Sequence, residues 1–435
     1  MTPPRFPTDP HGWAELLAER TPRPPLKGNH RAKWAVVGAG VTGLAAARRL
    51  AELHPEETVL LLEARQVGQG ASGRNSGYAV HASHFTGGFD PAKVKENARI
   101  NRINAAGLDL LRERVTSDTL DCQWDENGFH HAAADETALR EAEGFARYLD
   151  ALEVPHTLLG QDEMAERTGT IHYKRGIHVH PGALVQPAAL VRELADHLPA
   201  NVTLHEESPV VRLVPGSPVR LELPDGTIEA DGVLLATNYE AGKLGFLGSR
   251  IAGSTLSGSF TRKLTQDEVA SLGTLKEWGV LSLHGGGATV RLTRDGRISL
   301  RNTAEYHGSI LFSEAELRER QAVHRASFEM RFPQLKHVPF EFAWSGVEGI
   351  SRNQTNFFGR QARNVWFAGG YNGSGVSRGT AFGHALAEHA SGGQSALITD
   401  CLASAPASWI PPSPIRDIGA AWTVRQRFKG VGLDR

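Results

Sequence analysis

Three glycines with fixed spacing carry the clearest chemical signal in the chain. Gly38, Gly40 and Gly43 follow the apolar run Trp34–Val37 and precede an alanine-rich helical stretch. In a βαβ unit this spacing lets the backbone turn tightly, approach a pyrophosphate at a helix N-terminus and pack the helix on a strand. A second apolar run ends at Glu63, whose carboxylate can accept hydrogen bonds from both hydroxyls of a ribose. The pattern predicts a dinucleotide-binding βαβ unit.

A second segment of small residues, Gly70–Gly77, favours FAD over a nicotinamide dinucleotide. It follows the second predicted strand almost at once, and its backbone can lie against a flat ring or a phosphate. A nicotinamide-binding domain would normally continue there with another helix and strand. Arg65 could contact a 2′-phosphate or could be a solvated surface residue. Glu63 beside it would repel that phosphate, so NADP is disfavoured.

Four segments together resemble the D-amino-acid-oxidase-type FAD-dependent oxidoreductases, and within them the branch similar to γ-glutamylputrescine oxidase. They are Gly38–Ala51, Leu61–Ala64, Gly70–Gly77 and Phe367–Val376. The resemblance covers roughly residues 12–400. It implies a Rossmann-like FAD-binding domain, an antiparallel substrate domain and oxidation of a carbon–nitrogen bond in an amine or amino acid.

The motifs and the resemblance together give a set of expected FAD-binding residues. The first glycine motif and the acid that follows contribute Gly38, Gly40, Val41, Thr42, Gly43, Glu63, Ala64 and Arg65. The second segment contributes Gly70, Ala71, Ser72, Arg74, Asn75 and Ser76, and the middle of the chain contributes Val210, Ala236 and Thr237. The last segment contributes Gly370, Gly373, Ser374, Gly375, Val376 and Ser377. The candidate catalytic residues are Arg301, Asn75 and Tyr371, and no metal site is expected.

Near the end of the chain, a strand, a glycine-rich turn and a helix follow one another as they do at the first glycine motif. Residues 364–370 predict a buried strand, Tyr371–Gly375 a tight turn and Gly379–Ser391 an amphipathic helix. In the resembling family the positive end of this helix faces the flavin pyrimidine edge, where negative charge develops on reduction. Several relatives place a lysine there, whereas this chain has Ser377 or Arg378. That departure leaves the choice between oxidase and dehydrogenase open.

Residues Thr289–Asn302 alternate around Asp295-Gly296, a signal for a type I′ hairpin, and predict two antiparallel strands of the substrate domain. Polar side chains decorate them: Arg291, Arg297, Arg301 and Asn302. An arginine that faces a pocket can clamp a substrate carboxylate with two hydrogen bonds, and one on the outer face is simply solvated. Arg301 is the candidate clamp because the resemblance places a polar substrate contact near this point of the hairpin.

The coarse pattern predicts an α/β chain, α+β overall, with discontinuous domains. Residues 1–32 form an arm, 33–90, 176–244 and 344–400 the FAD-binding domain, 91–175 and 245–343 the substrate domain, and 401–435 a tail. The tail is an oligomer contact or, more in keeping with its composition, a strap over the chain's own surface. Helices are predicted at 91–114, 135–152 and 186–198, and further strands at 202–205, 210–213, 219–223 and 232–237.

Composition sets the remaining bounds. A formal net charge of −1 gives no reason to expect nucleic acid or an anionic membrane as a partner, and no apolar run has the length of a membrane span. Two cysteines provide no disulfide framework, so the cytoplasm is the default location. Cys401 or His81 could attach a flavin covalently, but Cys401 lies past the last predicted helix and His81 lacks the local pattern of such relatives, so non-covalent FAD is expected.

The expected reaction follows from these assignments. A neutral amine docks against the flavin, hydride passes from its α-carbon to flavin N5, and the resulting imine hydrolyses in water. Oxygen or an electron carrier then accepts the electrons. The alternative is a flavoprotein dehydrogenase or monooxygenase that uses NAD(P)H, although no second Gly-x-Gly-x-x-Gly motif follows a strand. A flavin-binding protein without redox activity is a third possibility, and the substrate itself stays open.

Overall fold

The computed structural model describes residues 10–84 and 87–435. Residues 1–9 of the predicted arm and 85–86 of the predicted FAD-binding domain lie outside the described residues. The strands are β1 (Gly28–Val37), β2 (Val59–Leu62), β3 (Tyr78–Val80), β4 (Phe129–Ala133), β5 (His156–Gly160), β6 (Arg175–Val179), β7 (Gly182–Leu184), β8 (Val202–His205), β9 (Arg212–Val214), β10 (Val219–Leu223), β11 (Gly226–Leu235), β12 (Ile251–Thr261), β13 (Trp278–Ser282), β14 (Thr289–Leu292), β15 (Ile298–Glu305), β16 (Phe340–Ser351), β17 (Phe357–Ala362) and β18 (Val365–Gly369).

The α-helices lie between these strands and after them. They are α1 (Gly12–Glu15), α2 (Val41–Leu53), α3 (Ala71–Arg74), α4 (Val94–Ser117), α5 (Glu136–Ala151), α6 (Gln161–Thr168), α7 (Pro187–Asp196), α8 (Gln266–Ala270), α9 (Glu314–Arg331), α10 (Gly375–Ala390), α11 (Ala396–Leu402) and α12 (Ile415–Phe428). Short 3₁₀ helices cover Pro91–Lys93, Asn238–Leu244, Pro333–Leu335 and Gly432–Asp434.

The first sheet is mainly parallel and contains the predicted βαβ unit. Its strands lie in the order β17-β18-β11-β1-β2-β8, and β10 and β9 extend β11 as an antiparallel ribbon. β1 pairs in parallel with β2 and with β11, and α2 connects β1 to β2 along the chain. Parallel strands joined through a helix are the arrangement that the glycine motif requires. The predicted Rossmann-like sheet is therefore confirmed.

β1 is longer than the sequence predicts. It begins at Gly28 rather than Trp34, because residues 28–32 pair with residues 226–230 of β11. Asn29, His30 and Arg31 are polar and at least partly exposed, and Ala32 is the one apolar residue among them, so no apolar run marks this stretch. β11 is extended in the same way, and the turn Pro224-Asp225-Gly226 joins it to β10. Pairing between distant segments, which a local pattern does not contain, set these boundaries.

The second sheet is almost entirely antiparallel. Its strands lie in the order β16-β12-β15-β14-β13-β4-β6-β5, and β13 with β4 is the parallel pair. One face packs on α9 through a core that includes Val290, Ile298, Leu300, Phe328 and Phe332. The opposite face of the hairpin β14–β15 lies toward the segment before β3, since Arg291 reaches the carbonyl of Gly77 there. The predicted α/β class with an antiparallel second sheet is confirmed.

The predicted hairpin joins β14 to β15, but its turn is not type I′. A type I′ turn needs a positive φ at both central residues, and of Asp295 and Gly296 only Gly296 has one, at +80°. The Thr293 N–H donates to the Arg297 carbonyl at 2.9 Å, which closes a longer loop with glycine in the left-handed position. The Asp295 carboxylate accepts from the Thr293 hydroxyl at 2.6 Å and so stabilises the negative φ.

α10 begins at Gly375, four residues before the predicted helix start at Gly379. Glycine lowers helix propensity, so the glycine-rich sequence before Gly379 predicts a turn rather than a helix. The glycines instead mark close contacts between helices: a Cβ on Gly383 would lie 2.0 Å from the Thr42 carbonyl oxygen of α2. A Cβ on Gly107 of α4 would lie 1.8 Å from the Ser377 carbonyl oxygen. Contact with α2 and α4 therefore overrides local propensity.

The tail packs against the second sheet of the same chain. Val431 and Asp434 are buried, and the Asp434 carboxylate accepts from the Ser282 hydroxyl at 2.9 Å and the Ala134 N–H at 3.2 Å. Buried Arg331 donates to the Asp434 carbonyl at 3.0 Å. Such a set of bonds holds the end of the tail in place, as the strap interpretation expects.

One buried histidine is expected to make the folded chain less stable in acid. Burial lowers the pKa of His324 on α9 to about 3, and its ring nitrogens bond the hydroxyls of Ser259 at 2.8 Å and Ser257 at 3.2 Å. The unfolded chain takes up this proton first, near pH 6.5, so stability falls as the pH drops from 6.5 toward 3. At pH 5 the loss is about 2 kcal/mol.

The variant His324→Gln keeps a polar partner for the two serines but does not titrate. Its free energy of unfolding, measured with urea, should depend less on pH between 6.5 and 5 than that of the wild-type chain. His337→Gln on the exposed surface is the matched control. Identical pH slopes for His324→Gln and the wild-type chain would contradict the assignment.

Candidate functional site

The first glycine motif forms a turn that only glycine allows at two of its positions. Gly38 has a φ of +101°, and a Cβ there would lie 2.9 Å from the Ala236 carbonyl oxygen. A Cβ on Gly43 would lie 1.7 Å from the Gly38 carbonyl oxygen. The turn delivers the chain into α2 at Val41, and no acidic side chain lies in the first helical turn. The unsatisfied N–H groups and the positive helix end there form a position suited to an anion.

Glu63 lies at the end of β2 beside this turn. Its carboxylate accepts hydrogen bonds from the Ala39 N–H at 2.9 Å and the Arg65 N–H at 3.0 Å. Ala64 lies between Glu63 and Arg65 in the chain. Burial raises the pKa of Glu63, and the two backbone donors oppose that effect. A carboxylate offers about four lone pairs, so acceptor capacity remains for a diol. Arg65 lies 3.9 Å from the Glu240 carboxylate, so its charge is already engaged.

Ser72 brings the second small-residue segment to the start of α2. Its hydroxyl oxygen accepts the Val41 N–H at 3.1 Å, and a Cβ on Gly40 would lie 2.6 Å from that oxygen. Ser72 belongs to α3, which begins at Ala71 after Gly70. The two predicted segments therefore meet at one helix N-terminus.

Asn75 shapes the rest of this segment through its own amide. Its Nδ2 donates to the Ser72 carbonyl at 2.7 Å, and its Oδ1 accepts the Gly77 N–H at 2.8 Å. Arg74 and the Ser76 carbonyl are bonded to strands of the second sheet. The segment thus presents backbone to its surroundings, and the engaged amide of Asn75 favours a structural role over the predicted catalytic one.

The last glycine-rich segment also reaches the start of α2. The Gly370 N–H donates to the Asn238 side-chain oxygen at 2.9 Å, and Asn238 directly follows Ala236 and Thr237 at the end of β11. The Tyr371 hydroxyl lies 2.9 Å from the Thr42 Oγ1 of α2. The sequence predictions missed Asn238. The available signal was a polar residue just after a buried strand, at the carboxyl edge of a parallel sheet where ligands bind.

Tyr371 is buried in the core cluster around α2 and α10. Burial raises the pKa of its phenol, and the hydrogen bond to Thr42 opposes that rise only in part. A buried phenol that stays protonated and bonded to a neighbour is poorly placed to exchange protons with a substrate. The geometry favours a positioning role for Tyr371 over the predicted catalytic role.

Two buried hydroxyls at the meeting point have no hydrogen-bond partner among the described residues. They belong to Thr237 and Ser377. Ser374, Gly375 and Val376 lie beside them at the N-terminus of α10. Buried polar groups are normally bonded, so each of these hydroxyls is a candidate contact for a polar ligand.

Arg378 is a buried cation beneath the last glycine-rich segment. It donates to the Ser83 hydroxyl at 2.6 Å, to Asn104 Oδ1 at 3.0 Å and to the Tyr371 carbonyl at 3.0 Å. Burial lowers its pKa to about 10, so the guanidinium is charged at neutral pH. All three acceptors are neutral, so they do not cancel this charge. The resulting field favours negative charge on a bound group.

Arg301 is partly exposed on the hairpin face that also carries Arg291. It donates to the Thr289 hydroxyl on the neighbouring strand and lies opposite Gly258 of β12. Burial raises the pKa of Tyr78, and both Arg291 and Arg301 oppose that effect. Arg301 therefore lies near β3, which directly follows the second small-residue segment.

The other polar residues of the hairpin have different surroundings. Arg297 forms ion pairs with Asp295 and Glu341. Buried Arg291 pairs with Glu277 at 2.6 Å. Asn302 is the extra residue of a β-bulge, and its buried amide has no hydrogen-bond partner among the described residues. The polar side chains predicted on this hairpin thus have different environments, and the sequence alone could not distinguish those environments.

Two predicted contacts lie at the margin of this arrangement. Val210 precedes β9, which begins at Arg212 rather than at the predicted position, and it packs on the first sheet's hydrophobic cluster. Gly373 has a φ of +96°, and a Cβ there would lie 3.8 Å from the Glu348 carboxylate. Glu348 of β16 is a further neighbour that the sequence predictions missed.

The remaining reactive side chains have ordinary environments. Within residues 10–84 and 87–435, no cluster of three potential metal ligands is present. Cys122 and Cys401 are free and buried, and burial raises the pKa of both thiols, which disfavours reactive thiolates. No helix in the described part of the chain is both long and apolar enough to cross a bilayer.

A double-mutant cycle tests the bond between Tyr371 and Thr42. Tyr371→Phe leaves a buried hydroxyl without a partner, as does Thr42→Val, so each should lower the free energy of unfolding by about 1–3 kcal/mol. The double variant should lose less than the sum, with a coupling energy of about 0.5–1.5 kcal/mol from denaturant unfolding. Tyr371→Phe combined with the exposed change Thr399→Val is the control and should be additive. Additivity in the first cycle as well would contradict the bond.

Comparison with known proteins agrees with this geometry. The chain is 27% identical to the probable oxidoreductase OrdL of Haemophilus influenzae over 396 residues, which is 84% of each chain. It is 27% identical to the γ-glutamylputrescine oxidoreductase of Escherichia coli over 368 residues, 81% of this chain and 82% of that protein. Among solved structures, glycine oxidase of Geobacillus kaustophilus has a TM-score of 0.68 at 20% identity and covers 84% of this chain and 96% of its own.

The family model for FAD-dependent oxidoreductases of the DAO type matches residues 33–389. The match spans both sheets and all three segments that meet at the start of α2. It confirms the resemblance that the sequence motifs indicated. The chain belongs to the DAO family of FAD-dependent oxidoreductases, and its cofactor is FAD.

Proposed function

We propose that this chain oxidises a carbon–nitrogen bond of an amine or amino acid with FAD as the electron acceptor. The observation that carries the proposal is the meeting of glycine-rich segments at the start of α2, together with a partly exposed arginine on the hairpin that bonds the second of these segments through Arg291. The relatives named γ-glutamylputrescine oxidoreductase and glycine oxidase support the substrate class. The bonded arrangement of Asn75 and Tyr371 supports positioning roles for both.

The residues present fit FAD. The N-terminus of α2 has no acidic side chain in its first turn and would hold the pyrophosphate. Glu63, with acceptor capacity left, would bind the adenosine ribose. The unpaired hydroxyls of Thr237 and Ser377 would bond polar atoms of the cofactor. The positive end of α10, which has no acidic side chain in its first turn, would favour negative charge on the cofactor's ring.

Bound FAD supplies a hydride acceptor at N5, and the oxidised amine leaves as an imine that water hydrolyses to a carbonyl compound. The chain's own part is to bind and orient the amine and to keep it unprotonated. An apolar pocket does this by lowering the pKa of the amine, so a strong base is not required. Arg301 would bind a carboxylate on the substrate through two hydrogen bonds. The buried charge of Arg378 and the start of α10 would stabilise negative charge that develops nearby.

The electron acceptor after substrate oxidation is oxygen or an electron carrier. The alternative function, a flavoprotein that uses NAD(P)H, is separated from the proposal by one measurement on the purified yellow protein. Under nitrogen, an amine or amino acid should bleach the flavin absorbance, and NADPH should not. Bleaching by NADPH and by no member of an amine library would favour the alternative.

We propose that the two sheets correspond to the predicted domains. Strand pairing supports this division and moves two boundaries, because β6 and the whole of β16 belong to the second sheet. The hairpin that carries Arg301 then belongs to the substrate domain. We also propose a cytoplasmic location, which the two free cysteines support.

Glu63→Ala tests the FAD site. Loss of hydrogen bonds to a charged acceptor should weaken FAD binding by about 1.5–3 kcal/mol. Glu63→Gln keeps one acceptor oxygen and should lose less. Titration of FAD into the apoprotein, followed by quenching of flavin fluorescence, gives the dissociation constants. Glu222→Ala on the ribbon strand β10 is the control. Equal affinity of Glu63→Ala and the wild-type chain would refute the ribose contact.

Arg301→Ala tests the carboxylate clamp. A substrate carboxylate left without its partner should cost about 3–5 kcal/mol in kcat/KM, and Arg301→Lys should recover only part of this. An amine without the carboxylate should be nearly indifferent to both changes. Arg294→Ala, an exposed arginine of the same hairpin that pairs with Glu277, is the control. Equal losses on carboxylated and uncarboxylated amines would contradict the clamp.

A further inference from the structure

One end of the second small-residue segment is held by the buried guanidinium of Arg291. Arg291 of β14 donates through Nη1 to the carbonyl of Val185 at 2.7 Å, of Gly77 at 3.2 Å and of Ser76 at 3.3 Å. Gly77 has a φ of +76°, and a Cβ there would lie 2.3 Å from this Nη1. The backbone of the segment is therefore fitted closely to the arginine.

A second anchor lies on β16, at the edge of the same sheet. The Trp344 indole N–H donates to the Arg74 carbonyl at 3.1 Å. In return, Arg74 donates to the Ser345 carbonyl at 3.0 Å. Both ends of the stretch Arg74–Gly77 are thus bonded to the second sheet, which fixes its main chain relative to that sheet.

Both anchors are packed under the N-terminal arm. The Trp13 ring lies 5.2 Å from the Arg291 guanidinium carbon and meets Phe260 edge-on at 4.6 Å between centroids. Phe260 in turn lies 4.8 Å from Trp344. A Cβ on Gly12 would lie 2.5 Å from Phe260, so the backbone of the arm packs directly against these aromatic rings.

The arm is also tied to the first sheet, so Trp13 does not rest on the second sheet alone. The Gln186 amide donates to the Trp13 carbonyl at 2.7 Å. Arg20 forms an ion pair at 2.7 Å with the fully buried Glu206 carboxylate. Glu206 also accepts the Val67 N–H at 2.6 Å, close to the end of β2. The arm therefore spans from the nucleotide-binding side to the two anchors.

We propose that the N-terminal arm is a positioning element for the FAD site, and that Trp13 acts through Arg291 on the stretch Arg74–Gly77. A tryptophan face over a desolvated guanidinium stabilises its position and charge, and Glu277 neutralises the other side of that guanidinium. With the arginine fixed, three carbonyls are held in place and the backbone that faces the flavin is organised before FAD binds. This inference rests on the proposed placement of the flavin against that stretch.

The test uses the full chain with Trp13→Ala and a readout that precedes activity. Hydrogen exchange of the peptide that covers residues 74–78 in the apoprotein should accelerate by about tenfold, because its local opening becomes easier. The dissociation constant for FAD should rise by about tenfold for the same reason. Trp13→Phe keeps an aromatic face over the arginine and should restore most of both effects.

Arg291→Lys supplies a second route if Trp13→Ala fails to fold. A lysine keeps the positive charge but cannot reproduce the planar guanidinium donor set, so the same two changes are expected. The matched control is Arg23→Ala, an arm residue whose ion pair with Asp196 is exposed, and it should change neither value. Wild-type exchange at residues 74–78 in Trp13→Ala, or in Arg291→Lys, would overturn the inference.

Failure of this inference differs from failure of the proposed function. If Trp13→Ala leaves exchange and FAD affinity unchanged while Glu63→Ala weakens FAD binding, the FAD site stands and the role of the arm does not. If exchange at residues 74–78 rises but FAD affinity stays at the wild-type value, the stretch is held by the arm but does not face the cofactor. That result also overturns the positioning role.

Discussion

The direct packing of α2 on α10 is the contact on which the rest of the site depends. The helices approach at backbone distance, since a Cβ on Gly383 would lie 2.0 Å from the Thr42 carbonyl oxygen. Each helix starts from a glycine-rich segment at the carboxyl edge of the first sheet. Because helices are rigid, this contact fixes the distance between the two segments. The hydrogen bond between Thr42 and Tyr371 is a consequence of that distance.

The same arrangement sets the electrostatics. The N-termini of α2 and α10 point positive helix ends toward the region between the segments, and Arg378 adds a buried full charge bonded to neutral acceptors. Burial makes such a charge act over a longer distance than in water. A ligand with a pyrophosphate and a ring that gains negative charge on reduction matches this field. The fit to FAD therefore rests on charge as well as on shape.

The second sheet holds the second small-residue segment and carries the arginine proposed to bind substrate. Thr289 pairs with Arg301 and Arg291 with Ser299, so both arginines lie on one face of the hairpin. Arg291 is consumed in holding main-chain carbonyls and in pairing with Glu277, whereas Arg301 stays partly exposed. Two residues of the same type on one face thus have different uses, and burial decides which is which.

The sequence by itself determined the βαβ unit around Gly38–Glu63, the antiparallel hairpin and the family, because these depend on local spacing and on strand periodicity. It did not determine the start of α10, the length of β1, the hairpin turn type, or the different burial of Arg291 and Arg301. Only the tertiary structure decided these points. Each depends on pairing or close approach between segments far apart in the chain, and such contacts leave no mark in a local pattern of residue types.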